Sequence, residues 1–339
     1  MRKLLVLALI TMVAFSANAQ EEKKDSIDPN KPVFTVIKEN PITSVKNQNR
    51  SGTCWCFSTL SFFESEILKK TGKTYDLCEM FVCNKDYMDR AVLKVRMHGD
   101  AQFAQGGSAG DVLHIIKKYG ICPENAMPAP GSLYGDTLAN FGEFFSVLEP
   151  YVDAVAKSSA KTISNTWKKG FQGILDAYLG ECPESFTYEG KTFSPKSFAA
   201  SLGLDFNDYV SITSYTHHPF YTAFPVEVQD NWRQDLSWNV PMEEMAEIID
   251  NAIMNGYTIA WGGDVSGDGF TRSGLAIWAD LDTAPTAAGT DMDRWLGLSK
   301  TERQDKAKEL GVNVVEKKPS QEQRQNEFDN WTLTDDHGM

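Results

Sequence analysis

Val45-Lys46-Asn47-Gln48-Asn49-Arg50-Ser51-Gly52-Thr53-Cys54-Trp55-Cys56-Phe57-Ser58 is the stretch on which the reading of this chain turns. Its first half is polar and ends in Ser51-Gly52, the composition of a loop. From Thr53 onward Trp55, Phe57, Leu60, Phe63, Ile67 and Leu68 recur mainly at three- and four-residue steps, and Gly72 follows, which predicts a helix. A thiol in the first turn of a helix meets unpaired amides and the positive end of the helix dipole. Both favour thiolate over thiol and make Cys54 a candidate nucleophile. Acyl transfer also needs donors aimed at the oxyanion formed on attack. Gln48 can supply a side-chain N–H from the loop ahead of the helix, beside the backbone N–H of Cys54, while Trp55 packs and shields the helix start.

Outward from this stretch, Val112, Ile115, Ile116 and Tyr119 share one face of a predicted helix over 111–119, closed by Gly120. Residues 129–240 read as an inserted helical region. One stripe there is Phe141, Phe144, Phe145, Leu148, Tyr151, Val152 and Val155, and another is Ile163, Trp167, Phe171, Ile174, Leu175 and Tyr178. After Pro241 a helix carries Met242, Met245, Ile248, Ile249 and Ile253 to Gly256, and Tyr257 to Trp261 and Leu275 to Trp278 read as strands. Ser299/Glu302 and Ser320/Gln323 have capping-box spacing, predicting two exposed helices within 299–330. The expected division is a leader at 1–19, a linker at 20–32, a helical lobe at 33–128, the insertion at 129–240 and a β-rich lobe at 241–339.

The 339 residues are 42% hydrophobic and 23% charged, an ordinary globular composition that excludes collagen-like, coiled-coil and wholly disordered chains. The formal charge of −13 repels phosphate backbones, so nucleic acid is not an expected partner. Arg2 and Lys3, the apolar run Leu4 to Phe15 and Ala17-Asn18-Ala19 have the order of a secretory signal peptide. The expectation is a secreted or periplasmic protein with no stable membrane anchor. Its six cysteines (54, 56, 78, 83, 122 and 182) permit disulfides without revealing their pairing, and Cys78 with Cys83 read equally well as two core thiols.

Gln-x5-Cys-Trp followed by Phe-Ser resembles the nucleophile segment of papain-like cysteine peptidases. Gly106-Gly107-Ser108, leading to Tyr119-Gly120-Ile121, is similar to that family's Gly-Gly segment, which lines an extended substrate. Asp335-Asp336-His337-Gly338 resembles its histidine step. The separation of 283 positions from Cys54 to His337 exceeds the roughly 130–150 of a minimal papain fold, which matches a helical insertion. Leu179-Gly180-Glu181-Cys182-Pro183, Ser194-Pro195-Lys196-Ser197-Phe198 and Ala260-Trp261-Gly262-Gly263-Asp264 narrow the resemblance to bleomycin hydrolase and the bacterial aminopeptidase C group.

That resemblance implies an α+β, papain-like two-lobed fold, a helical lobe plus a β-barrel-like lobe with a large helical insertion. It implies amide hydrolysis of peptide substrates through a thioester acyl-enzyme. Cys54 attacks, Gln48 stabilises the oxyanion, His337 moves the proton and Gly106 and Gly107 bind substrate. No metal or organic cofactor is implied. Relatives form hexamers, which makes a homo-oligomer an expectation. The family's Asn in an Asn-Ser-Trp strand after the histidine has no counterpart before Met339, so the expectation is a C-terminally truncated member, with a catalytically impaired peptide-binding remnant as the alternative. Asp264 to Gly269 imitates a calcium loop, but Leu275 occupies its glutamate position. His217-His218 lacks a carboxylate or Cys at ligand spacing and reads as a loop. His98 and His114 read as structural.

Overall fold

The helix expected from Thr53 runs from Cys54 to Thr71 (α1) and ends at Gly72, whose φ of 71° is the left-handed conformation glycine adopts without steric cost. Of the compact unit Ile37–Met339, the computed structural model describes residues 37–127, 140–263 and 320–329, with the backbone of 337–338. Of the second unit, Met1–Val36, it describes residues 35 and 36, both exposed. The expected leader and linker lie outside the described residues.

α1 is enclosed around most of its circumference, with Trp55, Cys56, Leu60, Phe63 and Ile67 all buried. Glu64 is fully buried too, and three donors compensate its carboxylate: Thr43 Oγ1 at 2.6 Å, Lys46 Nζ at 3.0 Å and the Leu77 N–H at 2.8 Å. This arrangement fastens residues 43–46, the approach to Gln48, onto α1. Asn40 Nδ2 donates to Ile253 O and Tyr257 O, both at 2.9 Å, tying the same approach to a second part of the chain.

A helix that the apolar pattern does not announce, Glu79–Arg96 (α2), packs beside α1. Its Asp86, Arg90 and Lys94 are buried, so charges occupy positions where an amphipathic reading expects apolar residues. The expected helix at 111–119 begins slightly earlier, at Ala109 (α3, Ala109–Tyr119), with a Ser108/Asp111 capping box. The first aromatic stripe forms α4, Phe141–Ala156, with Phe141, Phe144, Phe145, Leu148 and Val152 buried. The second forms α5, Thr166–Leu179. Ile163 falls ahead of it and is 40% exposed, so it does not belong to that stripe. Tyr87 of α2 is the hub between these helices, its ring 5.2 Å from Phe145, 6.2 Å from Phe103 and Phe144, and 6.3 Å from Phe141.

Beyond α5 the chain is not the continuous helical insertion expected. A hairpin, β1 (Phe186–Tyr188) with β2 (Lys191–Phe193), turns at Glu189-Gly190, both at positive φ as a tight two-residue turn requires. After α6 (Pro195–Ser201) come β3 (Ile212–Thr213), β4 (Ala223–Pro225) and β5 (Leu236–Asn239), then α7 (Met242–Met254) and β6 (Trp261–Gly262). The last described elements are α8 (Gln321–Asp329) and β7 (His337–Gly338). A five-stranded sheet has the order β4-β5-β3-β7-β6, antiparallel except for the β3–β5 pair. Residues 212–239 thus give three strands to the sheet that also holds His337. Leu236–Asn239 alternates exposed and buried, the period of a half-buried strand that the helical reading overlooked.

α7 spans the expected helix, but its apolar stripe stays outside the core: none of its residues is buried, and Ile248 and Met254 are 44% and 56% exposed. The strand expected over 257–261 contracts to Trp261–Gly262. The Ser320/Gln323 capping box is made, Ser320 N–H donating to Gln323 Oε1 at 2.9 Å and Gln323 N–H to Ser320 Oγ at 3.1 Å. The strand over 275–278, the Asp264–Gly269 turn and the Ser299/Glu302 box lie outside the described residues. Among the described residues no helix is long and apolar enough to cross a membrane.

Glu79, at the start of α2, gives a pH-dependent prediction. Burial, reinforced by the nearby Glu124 and Glu64 and opposed by Lys46, pushes its carboxyl from 4.5 up to about 8. The folded protein therefore holds this proton more tightly than the unfolded chain. The resulting stabilisation is complete below pH 4.5 and is lost as pH rises towards 8. Glu79→Gln is expected to raise the urea midpoint at pH 8 and to change it little at pH 4.5; equal shifts at both pH values would contradict a proton held at this site.

Candidate active site

Cys54 is the first residue of α1 and its side chain is exposed, whereas Cys56, Cys78, Cys83 and Cys122 are fully buried. Burial, and then contact with Cys83, pushes the Cys56 thiol well above its ordinary range, and burial raises Cys182 to about 12. These thiols are poor nucleophiles near neutral pH. Position therefore separates Cys54 from its neighbour two residues on.

The loop ahead of Cys54 is internally braced. Gln48 Nε2 donates to Ser51 O at 2.6 Å, Ser51 Oγ donates to Gln48 O at 2.7 Å and lies 2.6 Å from Thr53 Oγ1. Asn47 Oδ1 accepts from Asn49 N–H at 2.8 Å, holding Asn49 at a φ of 51°. One hydrogen of the Gln48 amide is thus engaged within the loop. The group has a second, so the arrangement fixes the amide while keeping donor capacity for an oxyanion.

Gly106 and Gly107 are brought to this loop by Gln105, a residue the sequence reading passed over. Gln105 Oε1 accepts from Gly52 N–H at 2.8 Å, and Gln105 O accepts from Trp55 Nε1 at 3.0 Å and Tyr87 Oη at 3.1 Å. The aromatic cluster around Tyr87 therefore supports the segment that packs against Gly52 and Trp55. A Cβ on Gly107 would lie 2.9 Å from Trp55 Cδ2 and would also collide with Arg90 Nη2. One on Gly106 would lie 2.6 Å from Asp230 Oδ1. Both glycines are dictated by close approach. Gly107→Ala is expected to cost about 1–3 kcal/mol through overpacking and to lower kcat/KM; an unchanged urea midpoint would show that Trp55 and Arg90 yield freely.

Beneath the segment lies Arg90, 3% exposed. Nη1 donates to Gly106 O and, at 3.3 Å, to Ala104 O; Nη2 meets Asp111 Oδ2 at 3.1 Å and Nε meets Asp86 Oδ2 at 2.6 Å. The guanidinium also lies 5.5 Å from the Trp55 ring centroid and 5.3 Å from that of Trp232. Burial works to lower the Arg90 pKa, but the Asp86 and Asp111 carboxylates more than offset it, so Arg90 stays charged. The only available sequence signal was Asp86 and Arg90 at i, i+4.

His337 enters through its backbone in β7. It pairs with Gly262 of β6, and the neighbouring Gly338 pairs with Trp261 and with Ile212 of β3. The described contacts brace Gln48 to Ser51 and hold the Gln105–Gly107 segment against Gly52 and Trp55, on either side of Cys54 in the chain, and they place the His337 backbone within the five-stranded sheet. A groove of about 320 Å³ between α3 and β5, lined by Leu113, His114, Arg233, Leu236 and Trp238, does not include Cys54.

Among the described residues one group has metal-ligand character: His217, His218 and Glu227, with their candidate donor atoms within 4.8 Å of one another. The fold supplies the carboxylate that the linear spacing hid. Glu227 lies 3.1 Å from His217 Nε2 and 2.7 Å from His218 Nε2. Gln325 Oε1 accepts from Thr216 N–H at 2.6 Å, which turns its amide nitrogen towards His217 Nδ1 at 3.1 Å. The His217 proton then sits on Nε2 and is donated to Glu227. An ion at Nε2 would displace that proton and leave Nδ1 facing a donor, so the geometry favours a hydrogen-bonded cluster anchoring α8. His114 lies 3.5 Å from Asp89, a structural partner as expected.

An α+β fold with an exposed thiol at a helix start, a fixed amide ahead of it and a glycine segment beside it defines a cysteine peptidase. A family model described as the Peptidase C1-like family matches residues 4–318, and the chain belongs to that family. It is 24% identical over 302 aligned positions to Aminopeptidase G of Lactobacillus delbrueckii subsp. lactis, covering 78% of this chain and 68% of that protein. It is also 24% identical over 366 positions to Aminopeptidase C of the same organism, covering 90% and 77%. The solved structure of PepW from Lactobacillus rhamnosis HN001 superposes with a TM-score of 0.54 at 18% identity, over 70% of this chain and 62% of that one, which supports the shared fold.

Proposed function

We propose that this protein is an aminopeptidase-type cysteine peptidase, exported from the cytoplasm, that removes residues from the free amino termini of peptides. The single observation that carries the catalytic part is the exposed Cys54 at the first residue of α1, with Gln48 braced in the loop ahead of it and Gln105, next to Gly106–Gly107, bonded to Gly52 and Trp55. In this reading the Cys54 thiolate attacks the scissile carbonyl carbon, forming a C–S bond. The Cys54 backbone N–H and the Gln48 amide receive the oxyanion. His337 gives its proton to the departing amine and then takes one from the water that hydrolyses the thioester. The names of the two lactobacillus relatives support aminopeptidase action, and the charged, then apolar, then small-residue start supports export.

The test compares aminoacyl coumarin amides with their N-acetylated counterparts in the purified full chain, with and without iodoacetamide. Hydrolysis of the free-amine substrates alone, stopped by alkylation, supports the proposal. Equal turnover of both forms would replace aminopeptidase by endopeptidase action, and alkylation-resistant turnover would remove the thiol mechanism. Saturable peptide binding without any turnover would favour the peptide-binding alternative.

A further inference from the structure

Two buried thiols outside the catalytic turn face each other across a short antiparallel contact. Leu77 and Pro123 form an isolated antiparallel bridge, with Glu124 N–H donating to Asp76 O at 2.8 Å and Cys78 N–H to Cys122 O at 3.0 Å. That register sets Cys78 directly opposite Cys122. Directly opposed residues in a hydrogen-bonded antiparallel position have Cα atoms about 5.5 Å apart, and their side chains project to the same face. A disulfide requires a Cα separation of roughly 4.4–6.8 Å. Both residues are fully buried; Cys78 Sγ lies 3.6 Å from Met127 O, and the neighbouring Cys122 thiol together with burial pushes the Cys78 thiol well above its ordinary range.

We propose that Cys78 and Cys122 are a disulfide-forming pair, oxidised while the chain folds by exchange with a small-molecule disulfide of the glutathione class. One deprotonated cysteine attacks the glutathione disulfide, forming a mixed disulfide and releasing one glutathione thiolate. The second cysteine, also deprotonated, attacks the protein sulfur of that intermediate and releases the other glutathione. Two protein thiols are oxidised by two electrons, and one glutathione disulfide is reduced to two glutathiones. Folding is the time for this step, because both sulfurs are sealed from solvent in the finished fold. The bond would close a loop containing α2, the Gln105–Gly107 segment and α3, and so restrain the elements that carry Arg90 and the glycines. This inference does not depend on the proposed peptidase activity.

The full chain is refolded from denaturant in a mixture of reduced and oxidised glutathione, quenched by alkylation under denaturing conditions and mapped by mass spectrometry without reduction. The expected result is a linked peptide pair joining Cys78 to Cys122, a folded product lighter by two hydrogen atoms, and a thermal midpoint several degrees above that of the reduced protein. Cys122→Ser and Cys122→Ala should each lose the linked peptide. Mapping needs only the unsubstituted chain, so poor folding of either variant leaves the result readable. Complete alkylation of both cysteines, or linkage of Cys122 to Cys182 or of Cys56 to Cys83 in its place, would overturn the proposal.

Discussion

Cys54→Ala is expected to lower turnover of aminoacyl amides by at least about three orders of magnitude while leaving the urea midpoint nearly unchanged. Loss of an attacking nucleophile commonly costs on the order of 10³-fold or more, because donors left in place stabilise an intermediate that no longer forms. The negligible stability change follows from position: the side chain is exposed and vacates no core volume. Cys56→Ala supplies the contrast. That thiol is fully buried between α1 and α2, with Cys83 in contact and Glu79 O at 3.6 Å. Its removal should lower the midpoint and leave the chemistry intact. The measurement is kcat/KM on one fluorogenic aminoacyl amide beside equilibrium urea curves for both variants. If activity followed Cys56 rather than Cys54, the assignment of the nucleophile would be wrong.

The helix start at Cys54 was legible in the sequence for a local reason. A helix start leaves a signature in composition, and Gln48, Cys54 and Trp55 are spaced by local backbone geometry. α1, α3, α4 and the Ser320 cap were readable for the same reason, because each is defined by neighbours within a few residues. What escaped was set by distant contacts. α2 carries charges on a buried face, and they are compensated by Asp111 in α3 and by carbonyls at 104 and 106, which no local pattern reveals. β3, β6 and β7 are two-residue strands whose existence depends on one another's backbone groups, so their composition carries no period. Glu227 meets His217 and His218 across a turn that Gln325 of α8 also joins, a contact the linear spacing does not carry.

Arg90→Met is expected to destabilise the protein by about 3–5 kcal/mol at neutral pH, the cost of leaving buried carboxylates without their cation. Asp86 and Asp111 are 0% and 1% exposed. Burial already pushes both carboxyls upward, and Arg90 is the principal group pulling them back. Arg233 reaches Asp111 Oδ1 only at 3.9 Å and is occupied by Asp235 at 2.8 Å, so it replaces little of what is lost. Methionine fills much of the side-chain volume, which isolates charge from cavity formation. In the variant the two carboxyls would bind protons far more tightly folded than unfolded. The penalty should therefore be largest at neutral pH and shrink as pH falls towards ordinary carboxylate values near 4. Urea midpoints at pH 7.5 and 5.5 measure this directly, and adding Asp111→Asn should recover part of the loss. Catalysis should suffer beyond stability, because the carbonyls of Ala104 and Gly106 lose the donor that holds the glycine segment against Trp55. A pH-independent loss below about 1 kcal/mol would mean that the carboxyls are already neutral in the folded protein.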